Sequence, residues 1–157
     1  MLLGVLSDTH GLLRPEALTA LAGVDHILHA GDVGDPEILA ALRQIAPVTA
    51  IRGNVDVFGD CALLPKTEAV ELGGRLFYLI HSVYDLDITP EAAGIAMVIS
   101  GHSHRPGIAI RKGVTYLNPG SAGPRRFDLP VTLAKVTVTE SEVTPCVIRL
   151  LGNSRKL

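Results

Sequence analysis

Short apolar runs, each closed by glycine or a polar residue, set the rhythm of the chain. Leu2 to Ser7 is continuous and apolar, the pattern of a strand buried on both faces. Pro15-Glu16 then opens a helix through Leu21 or Ala22, with proline in its first turn. His26 to Ala30 is a second buried strand and ends at Gly31-Asp32. Asp35-Pro36-Glu37 starts another helix: Asp35 caps it, and Ile38, Leu42 and Ile45 share one face. Val48 to Ile51 is a third strand, closed by Arg52-Gly53-Asn54. This alternation implies parallel strands covered by helices.

After Pro65 the texture changes. Thr67 to Leu72 alternates, Gly73-Gly74 turns, and Leu76 to Ile80 returns as a hairpin that ends at His81. Pro90 to Ala96 reads as a short helix, and Met97 to Ser100 as a strand running into Gly101. Ile108 to Leu117 is a second hairpin turning at Lys112-Gly113, and 118–129 is a loop rich in Pro, Gly and Arg. Val131 to Val138 and Val143 to Leu151 form a last antiparallel pair, followed by a polar tail, 153–157, expected to fray. Early parallel and late antiparallel strands, packed as two sheets with helices outside, would bury all these runs. The expected fold is an α/β, four-layer α/β/β/α sandwich of two mixed sheets flanked by helices, one domain over 1–157.

Composition narrows the function classes. The formal charge is −2, so no global basic field attracts nucleic acid, and no stable nucleic-acid binding is expected. Cys61 and Cys146 are far apart without CxxC spacing; two buried reduced thiols are the expectation, and structural zinc on sulfur is not. No apolar run reaches about 18 residues, so no membrane span is expected. The apolar N-terminus lacks a basic segment and runs straight into Asp8, so it reads as a strand, with a cytoplasmic location by default.

The chemistry gathers at strand ends. In parallel sheets ligands bind at the carboxyl ends of the strands, where Asp8, Asp32 and Asn54 all stand. His102 and His104, one residue apart on a turn, can aim their rings into one space. With His10 and His81 the set holds four imidazoles, two carboxylates and one amide oxygen. One divalent ion takes about four to six ligands, so this set suits two ions sharing a bridge. Asp32 is the candidate bridge, because a carboxylate has two oxygens. Imidazole with carboxylate suits Mn, Fe, Ni, Co or Zn rather than Ca. Two such ions about 3.5–4 Å apart hold a hydroxide and a phosphoryl group, so no serine or cysteine nucleophile is needed. His29 reads as a structural histidine, and Asn118-Pro119-Gly120-Ser121 as a supporting loop.

In this order, Asp8-x-His10, Gly31-Asp32, Gly53-Asn54, His81 and Gly101-His102-x-His104 resemble the calcineurin-like metallophosphoesterases. The length and the early Asp8-Thr9-His10-Gly11 are similar to small single-domain phosphodiesterases of bacteria and archaea. The resemblance runs from Met1 to about Arg126, and the closing strands fit it. It implies that Asp8, His10, Asp32 and His104 hold one metal, and Asp32, Asn54, His81 and His102 the other. It also implies two divalent ions, Mn foremost, and a small phosphodiester or nucleotide-type substrate attacked by a metal-bridging hydroxide.

Two departures matter. Many relatives carry histidine directly after Gly-Asn as general acid; here that residue is Val55, with Asp56 next. Many also read His-Gly-His where this chain has His81-Ser82-Val83. The candidate catalytic residues are therefore Asp32, Asn54, Asp56 as a substitute proton donor, and Arg105 as a phosphate contact. Val55 keeps a second reading open: a non-catalytic scaffold of this fold that binds protein partners, as in the retromer coat. The late hairpins also offer an edge for self-association.

Overall fold

Side-chain alternation along the first strand explains the layering. In the computed structural model, which describes residues 1–152, β1 (Leu2–Leu6) sends Leu3 and Val5 to one side and Leu2 and Leu6 to the other. It pairs in parallel with β2 (His26–His29), which pairs in parallel with β3 (Val48–Ala50). Two helices cover the Leu6 side: α1 (Pro15–Ala20), which buries Ala17, and α2 (Pro36–Arg43), which buries Ile38, Leu39 and Leu42. The Asp35 side chain accepts from Glu37 N at 2.9 Å, so α2 starts at the expected cap.

A 3₁₀ helix, Gly59–Leu63, leads into the hairpin of β4 (Thr67–Leu72) and β5 (Arg75–Ile80). β6 (Ile95–Ile99), β7 (Gly107–Arg111) and β8 (Val114–Asn118) complete a second sheet in the order β4-β5-β6-β8-β7. The last pair, β9 (Thr132–Val138) and β10 (Val143–Arg149), joins the first sheet instead, giving β10-β9-β1-β2-β3. Both sheets are mixed: β9 runs antiparallel to β1 in the first, and β6 runs parallel to β5 and β8 in the second. The late strands thus do not form a group of their own. β1 is buried almost throughout and must sit inside its sheet; β9 supplies its second neighbour.

Between the sheets, Leu3, Val5 and Leu28 meet Phe77, Leu79, Met97 and Ile99, all fully buried. Side chains of this kind contribute roughly 1.5–3 kcal/mol each on burial. The fourth layer is thin. The helix expected over Pro90–Ala96 is a turn, closed by Ile95 N on Pro90 O at 3.0 Å, with Gly94 at φ +74°. Ile95 and Met97 are needed in the strand, and that shortens the segment before it. The turn, with a 3₁₀ helix at Val83–Asp85, Leu86 and Ile88, covers Ile80, Val98 and Val114.

Both cysteines are free. Cys61 is buried, but Cys146 is exposed on β10, which corrects the expectation of two buried thiols. The tail 153–157 lies outside the described residues. Among the described residues no helix is long and apolar enough to cross a membrane.

Candidate metal centre

Loops from both sheets meet at one edge and are laced by backbone bonds. Asp8 N donates to Gly31 O, His10 N to Asp32 O and Gly101 N to His81 O, each at 2.9 Å. Asp8, His10, Asp32, His102 and His104 all have positive φ, between 46° and 71°. Outside this group only Lys112 and Phe127 share that conformation among the described non-glycine residues. Left-handed backbone is unfavourable for such residues and persists where the surroundings impose it, commonly at functional sites. Two motif glycines are fixed by close approach. A Cβ at Gly53 would strike the Asp32 carboxylate and backbone, and one at Gly101 would strike the Ser7 hydroxyl and Asp8 carboxylate.

The two carboxylates face the imidazoles. Asp8 Oδ2 accepts from Ser7 Oγ at 2.7 Å and from His102 N at 3.1 Å. Its Oδ1 is buried without a hydrogen-bond partner and faces Nε2 of His104 at 3.4 Å, His10 at 3.7 Å and His81 at 3.8 Å. Asp32 Oδ1 accepts from Val55 N at 3.0 Å, while Oδ2 faces His81 Nε2 at 3.2 Å and His10 Nε2 at 3.4 Å. The tightest donor clusters are Asp8–His10–His104 and Asp8–Asp32–His81, each with its ligand atoms within 4.8 Å of one another. Asp8, as well as Asp32, therefore stands between the two halves of the site. His102 is exposed and stays outside both clusters, its ring 5.3 Å from that of His81.

This donor set fits a divalent cation. His81 Nδ1 donates to Ala30 O at 2.8 Å, so Nε2, 3.2 Å from Asp32 Oδ2, is the nitrogen that donates to Asp32 when protonated and could ligate a cation when not. The Asn54 amide oxygen faces both Asp32 oxygens at 3.3 Å and His81 Nε2 at 3.0 Å, all acceptors. With the amide nitrogen on that side Asn54 donates to all three; with a cation bound among them, its oxygen would turn inward as a ligand. His10 Nε2 is also buried without a hydrogen-bond partner. Burial pushes the Asp32 carboxyl up. The hydrogen bond with His81, the Val55 N–H and the charges of His81 and His10 outweigh it and hold the group down at about 2. Burial lowers His81, yet Asp32, the Ala30 carbonyl and Asp8 leave it raised. A proton on His81 therefore competes with a cation for this place, and acid weakens the site.

Other residues brace this cluster, among them the 118–121 loop expected as a support. Asn118 Nδ2 donates to Gly101 O at 3.0 Å and Ser103 Oγ at 3.1 Å, steadying the histidine turn. Ser121 Oγ donates to Asp8 O at 2.9 Å. Asp56 is buried and accepts from Val33 N at 3.1 Å, Gly34 N at 3.0 Å and Gly53 N at 2.9 Å. Such a carboxylate clamps the Asp32 loop to the Asn54 loop and is not presented to a leaving group, which corrects its expected role as proton donor. Val55 is exposed and carries no proton, and Arg105 is exposed beside His104.

His29 is fully buried between these loops. Gly31 N donates to its Nδ1 at 3.1 Å, so Nε2 carries the proton and donates to Thr9 Oγ1 at 3.0 Å. Thr9 Oγ1 in turn donates to Val33 O at 2.8 Å. Burial pushes His29 down to about 4 from an ordinary value of 6.5. The unfolded chain binds this proton first, so stability falls as pH drops from about 6.5 to about 4, by up to about 3 kcal/mol. Urea midpoints at pH 7 and pH 5 check this: the decline should be flatter in His29→Gln. Equal declines would assign the acid lability elsewhere.

The fold is shared with proteins of low sequence identity. An archaeal phosphodiesterase superposes with a TM-score of 0.77 at 22% identity, covering 94% of this chain and 100% of that one. Vps29 of Entamoeba histolytica, complexed with zinc, superposes with a TM-score of 0.71 at 21% identity, covering 96% and 100%. In sequence, a probable metallophosphoesterase of Methanocaldococcus jannaschii is 38% identical over 153 residues, covering 89% of this chain and 77% of the relative. The model of the calcineurin-like phosphoesterase superfamily domain matches residues 1–141. The chain belongs to that superfamily, a family of metal-binding phosphoester hydrolases.

Proposed function

We propose that this protein is a phosphodiesterase that works with two divalent ions. Asp8, His10, Asp32 and His104 hold one ion; Asp32, Asn54, His81 and His102 hold the other. The observation that carries the reading is the buried, unpartnered Asp8 Oδ1 facing three imidazole nitrogens beside Asp32. Bound divalent ions supply a water that ionises near neutral pH and positive charge for the phosphoryl oxygens. The chain's own groups do the rest. His81 is held in one tautomer by Ala30, Asn54 turns its amide oxygen inward, and Arg105 meets the phosphate from outside. Manganese is the first choice of metal, with Ni, Fe, Co and Zn as alternatives; zinc in the Vps29 structure supports an ion in this fold.

Val55 leaves the departing alkoxide without a protein proton donor at that position. General acids contribute about 10²- to 10⁴-fold. Aryl diesters, whose leaving groups need no proton, should therefore outpace alkyl diesters. Val55 and the likeness to Vps29 favour a second reading, a scaffold that binds partners through this face. The deciding assay follows an aryl phosphodiester with Mn²⁺ restored after chelation, in wild type and His104→Ala. The enzyme predicts Mn²⁺-dependent turnover in wild type alone. Turnover no higher than that of the variant leaves the scaffold.

A further inference from the structure

A cleft of about 900 Å³ opens from the Asn54, His81 and His102 side of the metal centre. It runs over the outer face of the second sheet and uses residues that the hydrolytic machinery does not. Arg52 and Lys66 line it, with Tyr78 and Ile80 from β5 and Asp85 and Asp87 from the segment after His81. The Arg52 guanidinium is fixed by donation to Ala62 O at 2.9 Å. Arg52 N donates to Pro65 O at 2.9 Å, which brings Lys66 alongside. Ile80 adjoins His81, and Tyr78 lies two positions further on the same strand face. Along the backbone Tyr78 stands three residues, about 10 Å, before His81, and both residues line this one cleft.

The set of side chains lining this cleft is informative. Arg52 and Lys66 supply positive charge, Tyr78 an aromatic surface on β5, and Asp85 and Asp87 two carboxylates able to accept hydrogen bonds. A simple alkyl diester would leave the Tyr78 ring and both acids without partners. An acyl chain would meet Arg52, Lys66, Asp85 and Asp87 where it needs apolar wall. We propose that the cleft binds the nucleoside part of a nucleotide diester, its base stacked on Tyr78. Base amino or sugar hydroxyl groups donate to Asp85 and Asp87, and Arg52 and Lys66 flank the phosphate. This assignment rests on the phosphodiesterase reading and adds the class of substrate to it.

The test is direct binding to the full-length protein by calorimetry, once after chelation and once with Mn²⁺. The probes are adenosine 5′-monophosphate, ribose 5-phosphate and phosphorylcholine. Base stacking on an aromatic side chain predicts that the adenosine compound binds about tenfold tighter than ribose 5-phosphate. Tyr78→Leu should erase that ratio, and Tyr78→Phe should keep it. Lys66→Ala should weaken both phosphates by a similar factor. An unchanged ratio in Tyr78→Leu, tighter binding of phosphorylcholine, or no nucleotide binding in either metal state overturns the proposal. Because the readout is binding, a protein that binds nucleotide without Mn²⁺-dependent turnover fails only as a phosphodiesterase. One that hydrolyses aryl diesters but ignores nucleotides fails only in this cleft.

Discussion

Asp8→Asn should abolish metal-dependent turnover and leave the metal-free protein at least as stable as wild type. The buried Oδ1 of Asp8 has no hydrogen-bond donor, whereas Oδ2 is satisfied by Ser7 Oγ and His102 N. An asparagine keeps its oxygen for those two donors. Its amide N–H₂ then points at the imidazoles of His10, His81 and His104, where it can donate. The substitution removes an uncompensated buried charge, whose cost without a cation is substantial. The same change deletes a ligand shared by both donor clusters. Metal at 100 to 1,000 times its Kd stabilises a protein by about 2.7–4.1 kcal/mol. In a domain of this size that is a rise in Tm of roughly 5–15 °C. Wild type should show that rise with Mn²⁺ after chelation, and Asp8→Asn should not. Loss of several kcal/mol of transition-state stabilisation corresponds to a fall in kcat/KM of about 10³-fold or more. A variant that still gains Tm with Mn²⁺, or is far less stable than wild type in chelator, would refute this account of the carboxylate.

The first three strands and both helices were legible because their signals are local. Asp35 and Pro36 announce a helix start by themselves, and the Asp35 cap forms where expected. Partner choice for β9 was not legible, since its alternation fits either sheet. What places it is the need of buried β1 for a second neighbour, a long-range requirement. The helix expected at Pro90–Ala96 failed for a related reason: Ile95 belongs to a strand buried on both sides by the rest of the fold.

The residues of this carboxylate–imidazole cluster were readable because they stand at or just past strand ends, and several follow a glycine whose missing Cβ lets two loops touch. Their supports were legible only in part: 118–121 reads as a supporting loop, but which atoms it bonds does not show in the sequence. Ser121 reaches the Asp8 carbonyl across 113 residues, and Asn118 reaches Gly101 across 17. Asn118-Pro119-Gly120-Ser121 has the composition of an ordinary turn, and its hydrogen bonds exist only once the two sheets have met. His29 likewise looks like one polar residue in an apolar strand. Its value lies in joining Thr9, between Asp8 and His10, to Gly31, before Asp32. Tyr78 and Lys66 gave no signal either, because a cleft is a property of how the β4–β5 hairpin sits beside the site.

Removing the Asp56 carboxylate should cost stability and activity together. Asp56→Ala strands three N–H groups, those of Val33, Gly34 and Gly53, of which Val33 is fully buried. A stranded buried donor costs about 1–3 kcal/mol, and water can rescue the exposed Gly34 more easily than Val33. The expected loss is about 3 kcal/mol or more, a fall in Tm of roughly 6–12 °C. With the Asp32 and Asn54 loops untied, metal affinity and turnover should drop about 10- to 100-fold, as when residues that orient ligands are removed. Asp56→Asn keeps one acceptor and should fall between Asp56→Ala and wild type. The clamp and the proton donor make different demands on leaving groups. A clamp lowers hydrolysis of aryl and alkyl diesters by the same factor, because it acts through ligand geometry. A proton donor lowers only the alkyl reaction, with Tm and Mn²⁺ affinity unchanged. Measuring both substrates alongside Tm in the two variants separates the roles, and the three N–H groups bound to Asp56 predict the first pattern.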